Sequence, residues 1–405
     1  MRIAVIGGGY TGCMAAFHAK ALGAQVSLYE VDSELGGVLR DVVINGKKFF
    51  NACQYLRDQA DGLDEWNISE SMVRFEHQYG SLTRLSNKRV RLMDDCAQPV
   101  LDGEAILSKN PVVNQSAMER LLAYGSPSTD LIRWASGFGN LSQLDYRCLV
   151  PMQLSRVYFA EDPSLGEKKQ KDPLADQLLA LPRKLRAPNA AIEPAFLPSE
   201  GFNQFFARFK ETLLDVGVGV YTDSPVKLHR DEEVITLTCR GDKVEVDKIV
   251  WAANPTPLLS RIFNVKLKTP PIPMKLIVGE FDTPLPFTPY YWQIFDADIS
   301  VTRVYVYELS GRPCFSVETF AGDSDEKILA DVRSVFKQLP LPSRYTVVGI
   351  ENQHRHVNFS SEELQAIESA SSNLPSMGIV PGGWTQYGRE EKVQSLKCKI
   401  SEAMR

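Results

Sequence analysis

The sequence predicts an α/β fold: a Rossmann-like βαβ unit at the N-terminus, joined to a mixed region of antiparallel sheet plus helices. Three observations predict it. The first 37 residues run in the order strand, Gly-rich turn, helix, strand, acid. Residues 274–320 hold β-branched and aromatic runs separated by Pro and Gly, as antiparallel strands do. Between them, phenylalanines recur at helical spacing, the mark of a core-facing stripe.

Composition bounds the possibilities. The chain has 405 residues, enough for two or three domains, with 44% apolar and 23% charged residues. A net charge of −5 supplies no field to attract phosphate backbones, so nucleic acid is not expected as the main partner. No apolar run approaches the ~20 residues of a transmembrane helix. The N-terminal stretch reads as a strand rather than a signal peptide, so a soluble, cytoplasmic protein is expected. Seven cysteines are scattered singly without a CxxC, which fits reduced thiols and argues against structural zinc or a dithiol centre. His354 and His356 lie close together, but no third ligand stands at a recognisable spacing, so no metal is expected.

The elements follow in order. Residues 2–6 are a short apolar run, as in a buried parallel strand. Gly7-Gly8-Gly9-Tyr10-Thr11-Gly12 then leads into a small-residue helix closed by Gly23, and a second strand, 25–29, ends on Glu30. Gly7 suits the tight turn, Gly9 lets backbone approach a pyrophosphate, and Gly12 lets helix and strand pack closely. The free N–H groups at Tyr10 and Thr11 face that pyrophosphate from the helix N-terminus. Glu30, 18 residues after Gly12, is placed to accept ribose hydroxyls. The whole context specifies a dinucleotide site, which a lone GxGxxG would not.

The middle is less regular, with helix-like stretches at 114–124 and 176–181 and a charged loop at 166–172. From 198 the texture changes. Phe202, Phe205, Phe206, Phe209, Leu213 and Leu214 define a helix whose stripe faces the core. Strands are expected at 219–221, 234–239 and 244–250, then at 274–281, 290–295, 301–309 and 314–320. A helix at 326–338, a strand at 345–350, a Gly-rich turn at 378–384 and a helix at 389–403 complete the chain.

These motifs resemble FAD enzymes of the amine oxidase and protoporphyrinogen oxidase superfamily, which also contains renalase-like oxidoreductases and UDP-galactopyranose mutase. Leu35-Gly36-Gly37 after Glu30 is similar to the superfamily's acid-then-glycine-pair element, with Val38 and the basic Arg40 behind it. Residues 49–56, containing Cys53 and Gln54, resemble the segment beside the flavin. Pro198-Ser199-Glu200-Gly201-Phe202 looks like the turn entering a helix before the second FAD stretch, and Pro225-Val226 resembles the strand whose backbone contacts adenine in that superfamily. The strand ending near Ala252, and the loop carrying Gly383, Trp384 and Tyr387, resemble the remaining flavin contacts.

The resemblance implies a discontinuous FAD domain at 1–56, 198–265 and 345–405, and a substrate domain at 57–197 and 266–344. It implies non-covalent FAD, because residues 378–389 contain no cysteine. No second strand–GxGxxG–helix unit marks an NAD(P)H domain, since Gly217-Val218-Gly219 lacks the third glycine. Lys275 stands where amine oxidases carry a lysine at flavin N5, although a lysine at a strand edge also snorkels to solvent. Arg303 resembles the mutase's diphosphate-gripping arginine, with Arg183 or Arg186 as a second; it would equally pair with Asp296 or Glu308 on its own sheet. The implied activity is an FAD-dependent oxidoreductase taking a hydride from a small-molecule amine or a CH–CH or CH–OH unit. The alternatives are a mutase-like isomerase of a nucleotide sugar and a flavin-binding protein without turnover.

Overall fold

The computed structural model describes residues 1–57, 72–76, 78–84, 90–94, 116–122, 128–149, 152, 194–231, 234–286, 289–355, 357–386 and 388–405. The expectations for 166–172 and 176–181, and for Arg183, Arg186, His356 and Tyr387, lie outside these residues.

Two sheets organise the molecule. The first is a five-stranded parallel sheet in the order Gly219–Tyr221, Gln25–Tyr29, Arg2–Ile6, Lys248–Trp251, Ile379–Pro381. Its strands are apolar on both faces because both are covered. Ile3 and Val5 pack with the helices Tyr10–Ala21, Phe202–Asp215 and Arg389–Ala403. Ala4 and Ile6 pack on the other side with Leu258, Leu259 and Ile367, from the helices Pro255–Phe263 and Ser361–Asn373.

The second sheet has seven strands, ordered Tyr345–Arg355, Ile272–Phe281, Arg312–Phe320, Val301–Leu309, Tyr290–Phe295, Gln78–Arg84, Val90–Asp94. Its pairings are antiparallel except that of Tyr290–Phe295 with Gln78–Arg84. Alternation splits it into two faces. Ile277, Val304, Val306 and Val317 pack under the helix Asp325–Phe336. Leu276, Val278, Tyr305 and Tyr307 face the other way, into the core that also holds the glycine-turn helix. That inner face packs on Phe49, Phe50 and Leu56.

Two expected elements come out differently. The run 244–250 is divided: Asp242–Val244 turns back on Val234–Cys239, and only Lys248–Trp251 joins the parallel sheet. The break falls at Glu245 and Asp247, which pair with Arg2 at 2.8 and 3.2 Å. The strand from Tyr345 reaches Arg355 and pairs with Ile272–Phe281, so it belongs to the seven-stranded sheet rather than with the glycine motif.

Asp41, adjacent to Arg40, holds the phenylalanine helix in place. Its carboxylate accepts from the N–H groups of Phe202 and Asn203, each at 3.0 Å, serving two donors a helix start leaves open. Only glycine fits at position 201, where φ is +96° and a Cβ would stand 2.3 Å from Asp41 Oδ2. Asp41→Ala should cost about 1–2 kcal/mol, the usual worth of a helix cap. Chemical denaturation would show this as a lower midpoint, with Asp41→Asn recovering part of it through its one remaining acceptor.

Among the described residues, no helix is long and apolar enough to cross a membrane.

Candidate functional site

The carboxyl ends of the parallel strands carry the loops that form the site, as ligand crevices in open α/β sheets do. The Gly7–Gly9 turn leaves Arg2–Ile6, Glu30 follows Gln25–Tyr29, and Ala252–Asn254 follows Lys248–Trp251. The loop 382–386 follows Ile379–Pro381. Gly36 pairs with Gly9 as an isolated parallel bridge, which brings the second glycine pair against the first.

The glycines of the turn have separable roles. A Cβ on Gly12 would stand 1.9 Å from the Gly7 carbonyl oxygen and 3.3 Å from Ala252 Cβ, so glycine here is a packing requirement. A Cβ on Gly9 would meet nothing within 4 Å, although Gly9 caps the helix with an ordinary extended backbone at φ −69° and ψ 173°. Folding alone therefore places no demand for glycine at this position. The open space under a helix N-terminus is the place for an anionic ligand.

Glu30 is buried at this edge. Its Oε2 accepts the Gly8 N–H at 2.5 Å and its Oε1 accepts the Asp32 N–H at 3.0 Å, so the carboxylate braces both turns. Each oxygen has a second lone pair for a hydroxyl. Ser224, two residues before Val226, donates its N–H to the Glu30 carbonyl at 2.8 Å, which sets the start of that strand beside the acid. Arg40 pairs with Asp32 at 2.6 Å on the same rim. Tyr10 has its ring in the core against Phe209, leaving its backbone to face the turn, and the side chain of Val38 is in solvent.

Further round, Gln54 donates to the Val38 carbonyl at 2.6 Å, while its Oε1 is buried with no hydrogen-bond partner among the described residues. Gln386 Oε1, in the terminal loop, is also buried without a partner among the described residues. Trp384 fixes that loop by donating to the Ala253 carbonyl at 3.1 Å. A buried unsatisfied acceptor costs about 1–3 kcal/mol, so these amides fit a ligand that brings its own donors. Open space at Gly9, an acid beside it and two orphaned acceptors suit a flavin dinucleotide, with its diphosphate, ribose hydroxyls and ring N–H.

The inner face of the seven-stranded sheet lies over this segment. Tyr307 accepts the Phe50 N–H at 2.9 Å, Ser316 donates to the Phe50 carbonyl at 2.7 Å, and Tyr305 donates to the Gln54 carbonyl at 3.4 Å. Arg303 shares the face: its guanidinium pairs with Glu318 at 3.1 Å, donates to Gln293 at 3.3 Å and lies 6.0 Å from the Tyr291 ring centre. Burial opposes its charge, and Glu318, with Tyr291 and Cys53 near, more than restores it. The partner of Arg303 is therefore Glu318, not Asp296 or Glu308. Asp296 is instead 3.5 Å from Arg84.

Lys275 is corrected. It follows the parity of Ile277, on the outer face, and its ammonium pairs with Asp325 at 2.7 Å at the start of the covering helix. A full sheet thickness separates it from the glycine crevice. The residues that sequence reasoning missed are Asp41, Gln293, Glu318 and Arg389, the last donating to the Tyr55 carbonyl at 2.6 Å. None follows a local motif; each acquires its place from a partner far along the chain.

Comparison with known proteins is consistent with this arrangement. A family described as an NAD(P)-binding Rossmann-like domain matches residues 5–63, covering the βαβ unit and the second glycine pair. By sequence, the chain matches no curated protein at a significant level. A structure of reduced UDP-galactopyranose mutase aligns over 99% of this chain and 94% of its own, with a TM-score of 0.66 and 15% identity. A protein from an Exiguobacterium species, described as a protoporphyrinogen oxidase, aligns over 99% and 98%, with a TM-score of 0.62 and 14% identity. A putrescine oxidase mutant redesigned for cofactor binding aligns over 100% and 98%, with a TM-score of 0.62 and 15% identity. The chain has the fold of these proteins, and the resemblance drawn from its motifs holds at that level.

Proposed function

We propose that the protein is an FAD-dependent oxidoreductase that takes a hydride from a small-molecule amine, or from a CH–CH or CH–OH unit, onto a non-covalent flavin. The observation that carries this reading is the space at Gly9: glycine stands where folding does not need it, under a helix N-terminus and beside Glu30. When bound, the flavin would supply the two-electron chemistry, and the chain would supply position and electrostatics. Residues 7–12 would receive the diphosphate, Glu30 the adenosine ribose and the backbone at Val226 the adenine. Gly36, Gly37, Gln54, Ala252, Gly383 and Trp384 would line the ring. The cofactor unit would comprise 1–56, 198–265 and the chain after the strand Tyr345–Arg355.

The substrate would lie between that ring and the inner sheet face. There Arg303 and Glu318 present a paired charge beside Tyr291, Gln293 and Tyr305, and would orient a polar group while Phe50 and the tyrosines exclude water. Lys275, on the outer face, has no part in this.

The mutase-like reading keeps one observation in its favour: of the two candidate residues, Arg303 is the one on the face toward Cys53. The two chemistries separate in one experiment. The purified protein should be yellow and release its flavin to the supernatant on acid precipitation. Under anaerobic conditions, a panel of amines and alcohols should contain a member that bleaches the ~450 nm flavin band. A colourless protein that takes up no FAD would sink the proposal. Binding of a nucleotide sugar that depends on Arg303, with no bleaching by any reductant in the panel, would favour the isomerase.

A further inference from the structure

Ala52 is buried and has φ +73°, a left-handed backbone that residues with a Cβ rarely adopt. Asn45, Arg240 and Ser310 share this conformation at the tips of hairpins, and Asn264 where it ends a helix. Ala52 has neither reason, and its methyl group forms no hydrogen bond to offset the strain. It closes a tight turn in which its N–H donates to the Phe50 carbonyl at 2.8 Å. Two residues on stands Gln54, whose Oε1 is buried without a partner among the described residues. Backbone strain of this kind collects where a segment must be presented to a ligand.

The conformation is imposed from outside the segment. Tyr307 accepts the Phe50 N–H at 2.9 Å, and Ser316 donates its one hydroxyl proton to the Phe50 carbonyl at 2.7 Å. The two hydroxyls are 2.9 Å apart, so the proton between them comes from Tyr307. The three bonds close a circuit in which each hydroxyl both accepts and donates. The Tyr307 ring also lies against Phe50, with ring centres 4.4 Å apart. Around the turn, Gln353 donates to Asn51 Oδ1 at 2.8 Å, Tyr305 to the Gln54 carbonyl at 3.4 Å and Arg389 to the Tyr55 carbonyl at 2.6 Å. Every one of these partners is more than 250 positions away in the chain.

We propose that Tyr307 and Ser316 are positioning residues for the cofactor: their circuit on Phe50 holds the strained turn at Ala52 and so presents the Gln54 carboxamide to the flavin. The inference rests on the FAD reading above. Without the circuit, residue 52 would relax to negative φ and carry Gln54 with it. FAD would then bind only the fraction of molecules that keep the turn, and its apparent affinity would fall in proportion. A turn populated about one-tenth of the time gives tenfold weaker binding. Glycine adopts positive φ without steric cost, so Ala52→Gly should keep the turn accessible when the circuit is broken.

The test is the FAD dissociation constant, measured by titrating flavin-free protein, with circular dichroism to establish that each variant is folded. Tyr307→Phe and Ser316→Ala should each weaken FAD binding tenfold or more, and the two together no further, because the circuit is already open. Adding Ala52→Gly to Tyr307→Phe should recover most of the loss, which a purely structural role for the tyrosine would not allow. Wild-type affinity in Tyr307→Phe would overturn the inference and leave the FAD reading standing. A loss that Ala52→Gly leaves untouched would do the same, since it would trace the effect to packing of the sheet. Should Tyr307→Phe not fold, Ser316→Ala with and without Ala52→Gly decides, and unfolding of both single variants would overturn the inference. A wild-type protein that binds no FAD would overturn both readings.

Discussion

The Gly9→Val protein should purify folded and colourless. Its backbone at φ −69° and ψ 173° suits a β-branched residue, and the added side chain points into open space. That space is where the diphosphate would approach, so FAD affinity should fall on the order of 100-fold or more, about 2.7 kcal/mol. Gly12→Val tests the converse. Its Cβ would overlap the Gly7 carbonyl oxygen at 1.9 Å, so helix and strand must separate and the protein should fail to fold. The measurements are circular dichroism, thermal unfolding and the shift of that unfolding with added FAD. Ligand at 100 times its Kd should stabilise wild type by about 2.7 kcal/mol and Gly9→Val by about 0.4 kcal/mol or less. A Gly9→Val variant that is yellow, or one that is unfolded, would mean the cradle is misplaced.

The second large effect lies at Arg303. Glu318, only 3% exposed, pairs with that guanidinium at 3.1 Å. Arg303→Met should destabilise the protein by about 3–5 kcal/mol, because it removes one partner of a buried ion pair. The double variant Arg303→Met/Glu318→Gln should regain most of this, since neither charge of the pair then remains. Function should not return with stability. Any substrate found by anaerobic bleaching should bind the double variant more weakly than wild type, while the flavin spectrum and FAD affinity stay the same. Full recovery of substrate binding in the double variant would show that the pair is a structural device of the sheet and not part of the site.

Much of the cofactor side was legible in the sequence because its signals are local. The order strand, glycine turn, helix, strand, acid occupies 30 residues, and the helix Tyr10–Ala21 and strand Gln25–Tyr29 form where that order places them. The terminal helix Arg389–Ala403 and the strands Tyr290–Phe295 and Val301–Leu309 have the expected bounds, because their periodicity is uninterrupted. The run 244–250 was not legible as two strands, because its break depends on Arg2, more than 240 residues away in sequence.

Local pattern therefore specifies the class of fold, the glycine turn with its acid, and the general kind of ligand these suit. Which side chains come together at the site is set by long-range packing. Lys275 and Arg303 each lie on apolar strands, and nothing local says which face either takes. A bulge between Val301 and Arg303 sets the parity of the second strand, and the first places Lys275 opposite Thr319 and Asn352. Arg303 thereby meets Glu318 on the inner face and Lys275 meets Asp325 on the outer one. Successive side chains on a strand point to opposite faces, so one residue of register exchanges the two outcomes, and that register is held by partners distant in the chain.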